Sequence, residues 1–448
     1  MKRFIAVALI LALVAGAAFA QSKAVYDTKA KAYKIEPGAK LRVGVDNDKW
    51  GAAIVALWDK LHPEAKGMVE FVNFGAAGGS DQITALQGEA PDVCLVIDGE
   101  VSRNVQSLLA LDKVIVSAAK SFAMEPFYSS ANSGVPKFIP VNYDGMAFAW
   151  NADMMTALGL NIKDGNKDGL PDAFDTWEEI FALSKSWAAK RPTYKGKTVN
   201  IVFPMSLDEV WSGYSSVTAA GWKIFAEGDG TKPGFEKKAF ADGLSFIKAA
   251  ADAKISVEAT GVLTPGASMT WRWDDALNNE TAPFFLVGTW MDITGAETKG
   301  GYDIKFGPMP TWAKTRLSPF VKTKGWVING FTKYPSAAHE LYRILFLKDG
   351  LQAMVDNSSY IPALKAKSFN IPAYTDPNKA EMSRAFAFNY PEPAITLPAN
   401  KAKKAMDGYY GIGMNLIYRS VWDGEKTPAA AQAEAVRLWA EWLAANNK

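Results

Sequence analysis

An α/β fold in two lobes is predicted by two observations. Between residues 41 and 97 short apolar runs alternate with amphipathic stretches in the order strand, helix, strand, helix, strand. That alternation predicts a mostly parallel sheet flanked by helices. The chain also runs to 448 residues with 49% hydrophobic content, beyond the roughly 250 to 300 residues that one core usually serves. Two cores are therefore expected.

The elements follow from local pattern. Strands are read over 41–45 and 69–74, a helix over 52–61 between them, and a further helix over 82–87 with Ser80 as its N-cap. The unbroken apolar run 93–97 predicts a strand buried on both faces. Ligands of such sheets bind beyond the carboxyl ends of the strands, so the loops beginning near Asp46, Gly75 and Asp98 carry the interest. Further strands are expected over 145–150, 283–287, 303–306 and 326–329. Helices are expected over 152–158, 177–191, 240–253, 336–346 and 428–445. In the last of these, Ala431, Ala435, Leu438, Trp439 and Trp442 recur at helical spacing and read as core.

The first twenty residues read as a secretory signal. Lys2 and Arg3 precede an apolar run of about a dozen residues, short of the roughly 20 that span a membrane, and Ala18-Phe19-Ala20 offers cleavage after Ala20. The only cysteine, Cys94, lies far from that point, so no lipid anchor and no internal disulfide are expected. A soluble periplasmic protein is the expectation. Lys2 and Arg3 leave with the signal, so 47 of the 49 basic residues remain against 47 acidic ones. That balance gives no electrostatic case for nucleic acid or an anionic membrane. Residues 21–40 are polar and read as a loosely held leader.

Catalytic signatures are mostly absent. There is no Gly-x-Ser-x-Gly elbow, and His339-Glu340 lacks the second histidine of a zincin. With only two histidines, a His-rich catalytic metal site is not expected. Gly196-Lys197-Thr198 lacks the preceding glycine of a phosphate loop, and 408–413 does not complete a dinucleotide fingerprint. A secreted glycoside hydrolase needs only two carboxylates and an aromatic cleft, so it stays open as the less favoured enzyme alternative.

The sharpest local motif is the twelve-residue stretch 164–175, which follows the EF-hand calcium loop. Asp164, Asn166, Asp168, Asp172 and Asp175 supply side-chain oxygens at positions one, three, five, nine and twelve, Gly169 stands at six, and Leu170 offers its carbonyl at seven. Asp175 stands where glutamate is usual and is one methylene shorter. A structural calcium ion is expected, against the alternative of a solvated turn in which Thr176 and Glu179 form a capping box.

Several ordered stretches carry a resemblance that spans nearly the whole mature chain. They are Leu61-His62-Pro63, the run from Gly88 to Val93, the run from Phe148 to Asp153 with Gly159-Leu160, Asp175 to Glu179, Val287-Gly288-Thr289-Trp290, Gly325 with Pro335 to Ala338, and Pro428 with the alanines after it. In these the chain resembles the family 1 extracellular solute-binding proteins, the maltose-binding-like receptors that deliver carbohydrates to ABC importers.

The resemblance implies a type II periplasmic binding fold closing about a hinge, with lobe one at 41–141 and 323–362 and lobe two at 142–322 and 363–448. It also implies a small carbohydrate ligand, ABC permease subunits as partners and a monomer. A polyamine, osmolyte or peptide cargo on the same fold is the alternative.

For the ligand cleft the resemblance points to Asp48, Lys49, Trp50, Asp98, Glu100, Asp144, Trp211, Tyr214 and Trp290. Sugars present C–H faces and hydroxyls, which aromatic faces and polar side chains match. Trp271, Trp273 and Trp326 are further candidates on composition and position, with Tyr360 and the pair Tyr409-Tyr410 behind them.

Overall fold

The computed structural model describes residues 24–101, 104–124, 128, 132, 135–190, 192–255, 273–365, 368, 372–389 and 405–446. The expected signal segment and cleavage site lie outside them. No helix among the described residues is long and apolar enough to cross a membrane.

Two short strands, β1 (Tyr26–Asp27) and β2 (Ala32–Tyr33), form an antiparallel hairpin. The expected alternation follows as β3 (Leu41–Val45), α1 (Asp48–Leu61), β4 (Val69–Asn73), α2 (Gly79–Leu86) and β5 (Val93–Ile97), with β3 parallel to both β4 and β5. α1 begins four residues before the expected start, because Asn47 Oδ1 accepts the Trp50 amide at 2.9 Å and caps the helix there. α2 also begins early. Gly78, at φ +75°, stands at its N-cap, and Ser80 is buried in the first turn, where Asn104 Nδ2 donates to its hydroxyl at 3.0 Å.

β6 (Ile139–Asn151) is 13 residues long and begins six residues before the expected 145. After it come the hairpin β7 (Thr193–Tyr194) and β8 (Lys197–Thr198), α3 (Val210–Val217), β9 (Phe284–Gly288), α4 (Ile293–Gly300) and β10 (Ile304–Gly307). The hairpin β11 (Thr311–Trp312) and β12 (Thr315–Arg316) leads to β13 (Val321–Ile328), α5 (Pro335–Leu345), α6 (Lys348–Asn357), β14 (Ile361–Pro362) and α7 (Pro377–Asn389). The chain ends its described part with Pro428–Asn446, in which Ala431, Ala435 and Trp439 are buried as the spacing predicts.

The main sheet runs β10-β6-β13-β5-β3-β4. Within this sheet parallel pairing is confined to β3, β4 and β5, and every partner of β6 is antiparallel to it. The first half of β6 lies between β13 and β14, and its second half between β9 and β10. Between Lys324 and Gly325 the register with β6 shifts by one residue. Gly325 is required there, since a Cβ would stand 2.3 Å from the Ile139 carbonyl oxygen.

The buried apolar side chains form two large clusters. One draws on residues 33–141 and 326–364, including Trp50, Trp58, Val141, Trp326 and Tyr342. The other draws on residues 143–321, 361–363 and 382–439, including Tyr143, Trp177, Tyr214 and Trp273. Alternation along the strands assigns sides. Val93 and Leu95 join the first cluster, while Cys94 and Val96 enter a smaller one on the opposite face of β5 with Phe138 and Val327. The apolar run 93–97 is thus covered on both faces.

The segment before β3 is docked rather than loose. Tyr33 is 2% exposed, its amide donates to Glu340 Oε2 at 2.8 Å, and its hydroxyl donates to Asp112 at 2.8 Å. Glu36 caps α5, accepting from the Ser336 and Ala337 amides at 2.7 and 2.8 Å. Its polar residues are therefore anchors, which their polarity alone disguised.

Glu340 is fully buried on α5 and also accepts from Arg343 Nε at 2.9 Å and contacts His62 Nε2 at 2.9 Å. Burial opposes its charge, but the hydrogen bonds from Arg343, His62 and Tyr33 outweigh it and hold the carboxyl below the usual range.

Replacing Glu340 by alanine strips the acceptor from three donors in a dry site. We expect a loss of about 3 to 5 kcal/mol in unfolding free energy by urea titration. Glu340 holds His62 above its ordinary value of 6.5, against the opposing effect of burial and with help from Glu64. The contribution of protonated His62 is then complete below about pH 6.5 and is lost as pH rises through the raised folded value. Titrating stability from pH 6 to 8 should show that loss in wild type and not in His62→Gln.

Candidate functional site

Two cavities meet at Ser358, which lines both. The larger, about 550 Å³, is walled by Asp46, Asn47, Asp48, Lys49, Asn73 and residues 356–358. The smaller, about 350 Å³, is walled by residues 289–294, Ser358, Ser359, Ile361, Asp376, Asn378, Lys379 and Met382. Both fall in the range of small-molecule sites. The first is wholly polar. The second sets Trp290, Met291, Ile361 and Met382 beside Asp292 and Asp376.

The early start of α1 decides where its candidates go. Asp48 and Lys49 are exposed in the first turn and line the larger cavity, with Asn73 Nδ2 donating to Asp48 Oδ1 at 2.6 Å. Trp50, one residue on, turns inward and is 1% exposed, packed edge-on against Trp326 at 5.3 Å and Tyr360 at 5.7 Å. Trp326 is likewise fully buried, so both tryptophans are core residues in this structure. Tyr214 is too. It is 0% exposed among Trp222, Phe320 and Tyr409, because α3 is buried nearly all round, with only Trp211 partly exposed. Trp273 packs in the second core, Asp144 stands on β6 opposite Lys322, and Trp271 lies outside the described residues.

Trp211 and Trp290 do come together. Their ring centroids are 5.0 Å apart, Trp211 also meets Phe320 at 5.6 Å, and Phe320 meets Tyr410 at 6.4 Å. Trp290 and Tyr410 are 38% and 37% exposed, so the strip presents aromatic faces at both ends. Gly288 makes this possible, since a Cβ there would lie 2.4 Å from the Trp290 ring folded back over the end of β9. Lys322 Nζ sits 5.3 Å from the Phe320 centroid and 5.4 Å from that of Tyr410. Phe320 and Lys322 were missed by sequence reading. Their one signal is position, at the start of β13, a strand that crosses between the two cores. Asp46 was legible as the first residue beyond β3, by the strand-end rule.

Asp98 and Glu100 are placed by local hydrogen bonds. Glu100 accepts from the Gly78 amide at 2.8 Å and thereby occupies the N-terminus of α2. Asp98 is 2% exposed and accepts from the amide and hydroxyl of Thr323 at 2.9 and 3.0 Å, while its Oδ1 has no hydrogen-bond partner among the described residues. Burial pushes its carboxyl up to about 6, against the Thr323 bonds and the Lys322 charge.

The loop 164–175 is folded tightly on itself. Asp164 Oδ2 accepts from the Gly169 amide at 3.1 Å, Asp168 Oδ1 from Leu170 at 3.0 Å, and Asp172 Oδ1 from Gly165 at 2.8 Å. Asp168 also pairs with Arg316 at 3.5 Å. Thr176 and Glu179 make the capping box, with the Thr176 amide donating to Glu179 at 3.0 Å and the Glu179 amide to Thr176 at 3.2 Å. Burial, then Asp168, push the Asp175 carboxyl up, and its Oδ1 is buried with no hydrogen-bond partner among the described residues. Among the described residues no three His, Cys, Asp or Glu side chains stand close enough to hold an ion as they are.

With this geometry, comparison with known proteins defines the class. A profile described as bacterial extracellular solute-binding protein matches residues 45–380, and the chain belongs to that family. Among solved structures it is similar to one described as a cyclo/maltodextrin-binding protein complexed with maltotetraose. That likeness has TM-score 0.67 and 18% identity, and covers 90% of this chain and 97% of that one. The shared fold is the two-lobed type II solute-binding fold. No curated protein sequence matches the chain.

Asp98 yields a test with a definite sign. A carboxyl raised from 3.8 to about 6 on folding lowers stability as pH climbs through that window, because the folded state holds its proton longer. Asp98→Asn removes that penalty and keeps an acceptor for Thr323. It should unfold at a higher midpoint than wild type at pH 7.5, by up to about 3 kcal/mol, and converge with it below pH 4. A less stable variant at pH 7.5 would contradict the assignment.

Proposed function

We propose that this protein is a periplasmic carbohydrate receptor that closes about a hinge on a sugar or oligosaccharide and hands it to the permease of an ABC importer. The observation that carries the reading is the pair of cavities joined at Ser358. One is rich in carboxylates and amides suited to hydroxyls, and the other is lined by Trp290, whose ring rests on Trp211 outside the cavity wall. Family membership supports solute binding, and the likeness to a protein described with maltotetraose supports a sugar. We read the chain as a binder rather than an enzyme, and as a monomer.

The division of buried side chains supports two lobes, at 41–141 with 323–362 and 142–322 with 363–448. β6, β13 and β14 then serve as the crossings. Ligand contacting both lobes favours the closed form by its differential affinity. The five aspartates around the cavities, Asp46, Asp48, Asp292, Asp356 and Asp376, favour a second reading in which the cargo is a polyamine or another cationic solute.

Thermal unfolding against mono- and oligosaccharides, with polyamines and peptides alongside, separates these readings. A ligand of the native state at a hundredfold excess over its dissociation constant adds about 2.7 kcal/mol, a visible shift. One sugar class should raise the midpoint and be recovered unchanged. A shift with amines alone would change the cargo, and hydrolysis of the sugar would make the protein an enzyme. Trp290→Ala should weaken the responding sugar at least tenfold, about 1.4 kcal/mol, while leaving the unliganded midpoint nearly unchanged, since Trp290 is exposed.

We also propose that 164–175 holds a structural calcium ion through Asp164, Asn166, Asp168, Asp172, Asp175 and the Leu170 carbonyl. The buried Asp175 Oδ1, without a hydrogen-bond partner among the described residues, and the mutual repulsion felt at that carboxyl support it. Calcium should raise the unfolding midpoint of wild type and not that of an Asp164→Asn, Asp168→Asn double variant; equal response of the two would remove the site.

A further inference from the structure

Three side chains from separate parts of the chain close a ring at the wall of the larger cavity. Lys324 Nζ lies 3.2 Å from Asp46 Oδ2 and donates to the Tyr360 hydroxyl at 2.6 Å. That hydroxyl in turn donates to Asp46 Oδ1 at 2.7 Å, so both oxygens of one carboxylate are held. The ammonium also stands 4.5 Å from the centre of the Tyr360 ring. Each member occupies a strategic position. Asp46 is the first residue past β3 and lines the cavity, Lys324 is on β13, and Tyr360 directly precedes β14. Lys324 also flanks the register shift against β6. Behind the ring, Trp50 packs edge-on against both Tyr360 and Trp326, so Tyr360 stands against a rigid wall.

Taking the receptor reading as its basis, we propose that Lys324 and Tyr360 are positioning residues for ligand binding. They orient Asp46 in the cavity and tie it to both crossing segments, so that contact with solute at Asp46 is registered where the two lobes join. The chemistry is that of a clamped acceptor. A carboxylate whose two oxygens are already held keeps its remaining lone pairs aimed in fixed directions, and so accepts from a solute hydroxyl without first losing rotamer freedom. Lys324 and Tyr360 need not touch the solute. Their ion pair and hydrogen bonds are 13% and 21% exposed at the Lys324 and Asp46 side chains, shielded enough to persist at ordinary ionic strength.

The test uses the full mature chain with Lys66→Cys and Glu236→Cys spin-labelled; both sites are exposed and one lies in each core's territory, while Cys94 is buried. Distance distributions between the labels are recorded without ligand for wild type, Tyr360→Phe, Lys324→Met, Lys324→Arg and the remote control Lys348→Met. The expected result is a broader or displaced distribution for Tyr360→Phe and Lys324→Met, recovery with Lys324→Arg, and an unfolding midpoint close to wild type throughout. An unchanged distribution in both variants, or equal broadening in the control, overturns the proposal. Maltotetraose serves as the binding probe, and Tyr360→Phe and Lys324→Met should each weaken it at least about fivefold, the scale of one charge-assisted hydrogen bond. If wild type fails to bind maltotetraose, the choice of sugar is at fault, and the ligand-free distributions still decide the ring.

Discussion

A single antiparallel strand, β6, is shared by two hydrophobic cores, and most of the molecule is arranged around that constraint. Val141 faces the first core and Tyr143 the second, two residues apart on one backbone. The strand must therefore satisfy two sets of neighbours along its length, β13 and β14 early and β9 and β10 late. The shift of register beside Gly325 is the local consequence, since a one-residue adjustment lets the same ladder serve differently oriented partners. Side-chain alternation does the rest. Around β14, Tyr360 and Leu364 pack on one side and Ile361 and Ala363 on the other.

The site inherits its form from this arrangement. Strands that end at Val45 and Ile97 release Asp46 and Asp98 at their carboxyl ends, and both aspartates turn to β13, to Lys324 and Thr323 respectively. One is exposed enough to line a cavity and ion-paired. The other is sealed, and burial without a full set of donors keeps its proton affinity high. From the opposite core, β9 delivers Trp290 past a glycine that lets the ring fold back, and α3 supplies Trp211 beneath it. Polar and aromatic walls thus come from different cores, which is what a solute held by both halves requires.

Order at the amino-terminal side combines charged anchors with apolar burial of Tyr33 and Ala39 in the first core. Glu36 caps the N-terminus of α5, and Glu340, about one turn further along the same helix, accepts from the Tyr33 amide, with the partly buried Arg343 and His62 completing the set. A composition-based reading takes such a segment for a leader, because carboxylates and lysines are normally solvated. Here the helix N-terminus and a partly buried guanidinium offer them partners.

How much could be read from residues alone follows the range of the physics. Apolar periodicity is a property of neighbours in sequence, so β3, β5, the helix Trp177–Lys190 and the buried face of Pro428–Asn446 stood out with bounds within a residue or two. The capping box at Thr176 and Glu179 is equally local. The solute-binding family was legible because short motifs in a fixed order survive where overall identity does not. What remained hidden depends on contacts distant in the chain. Whether Trp50 or Trp290 faces solvent turns on one cap at Asn47 and one glycine at 288, and the grouping of Asp46, Lys324 and Tyr360 exists only after three separated segments meet. Aromatic residues carry the same apolar area into a core as into a cleft, so their chemistry does not distinguish the two destinations. Packing assigns them, because the direction of a side chain is set by the backbone that other segments hold in place.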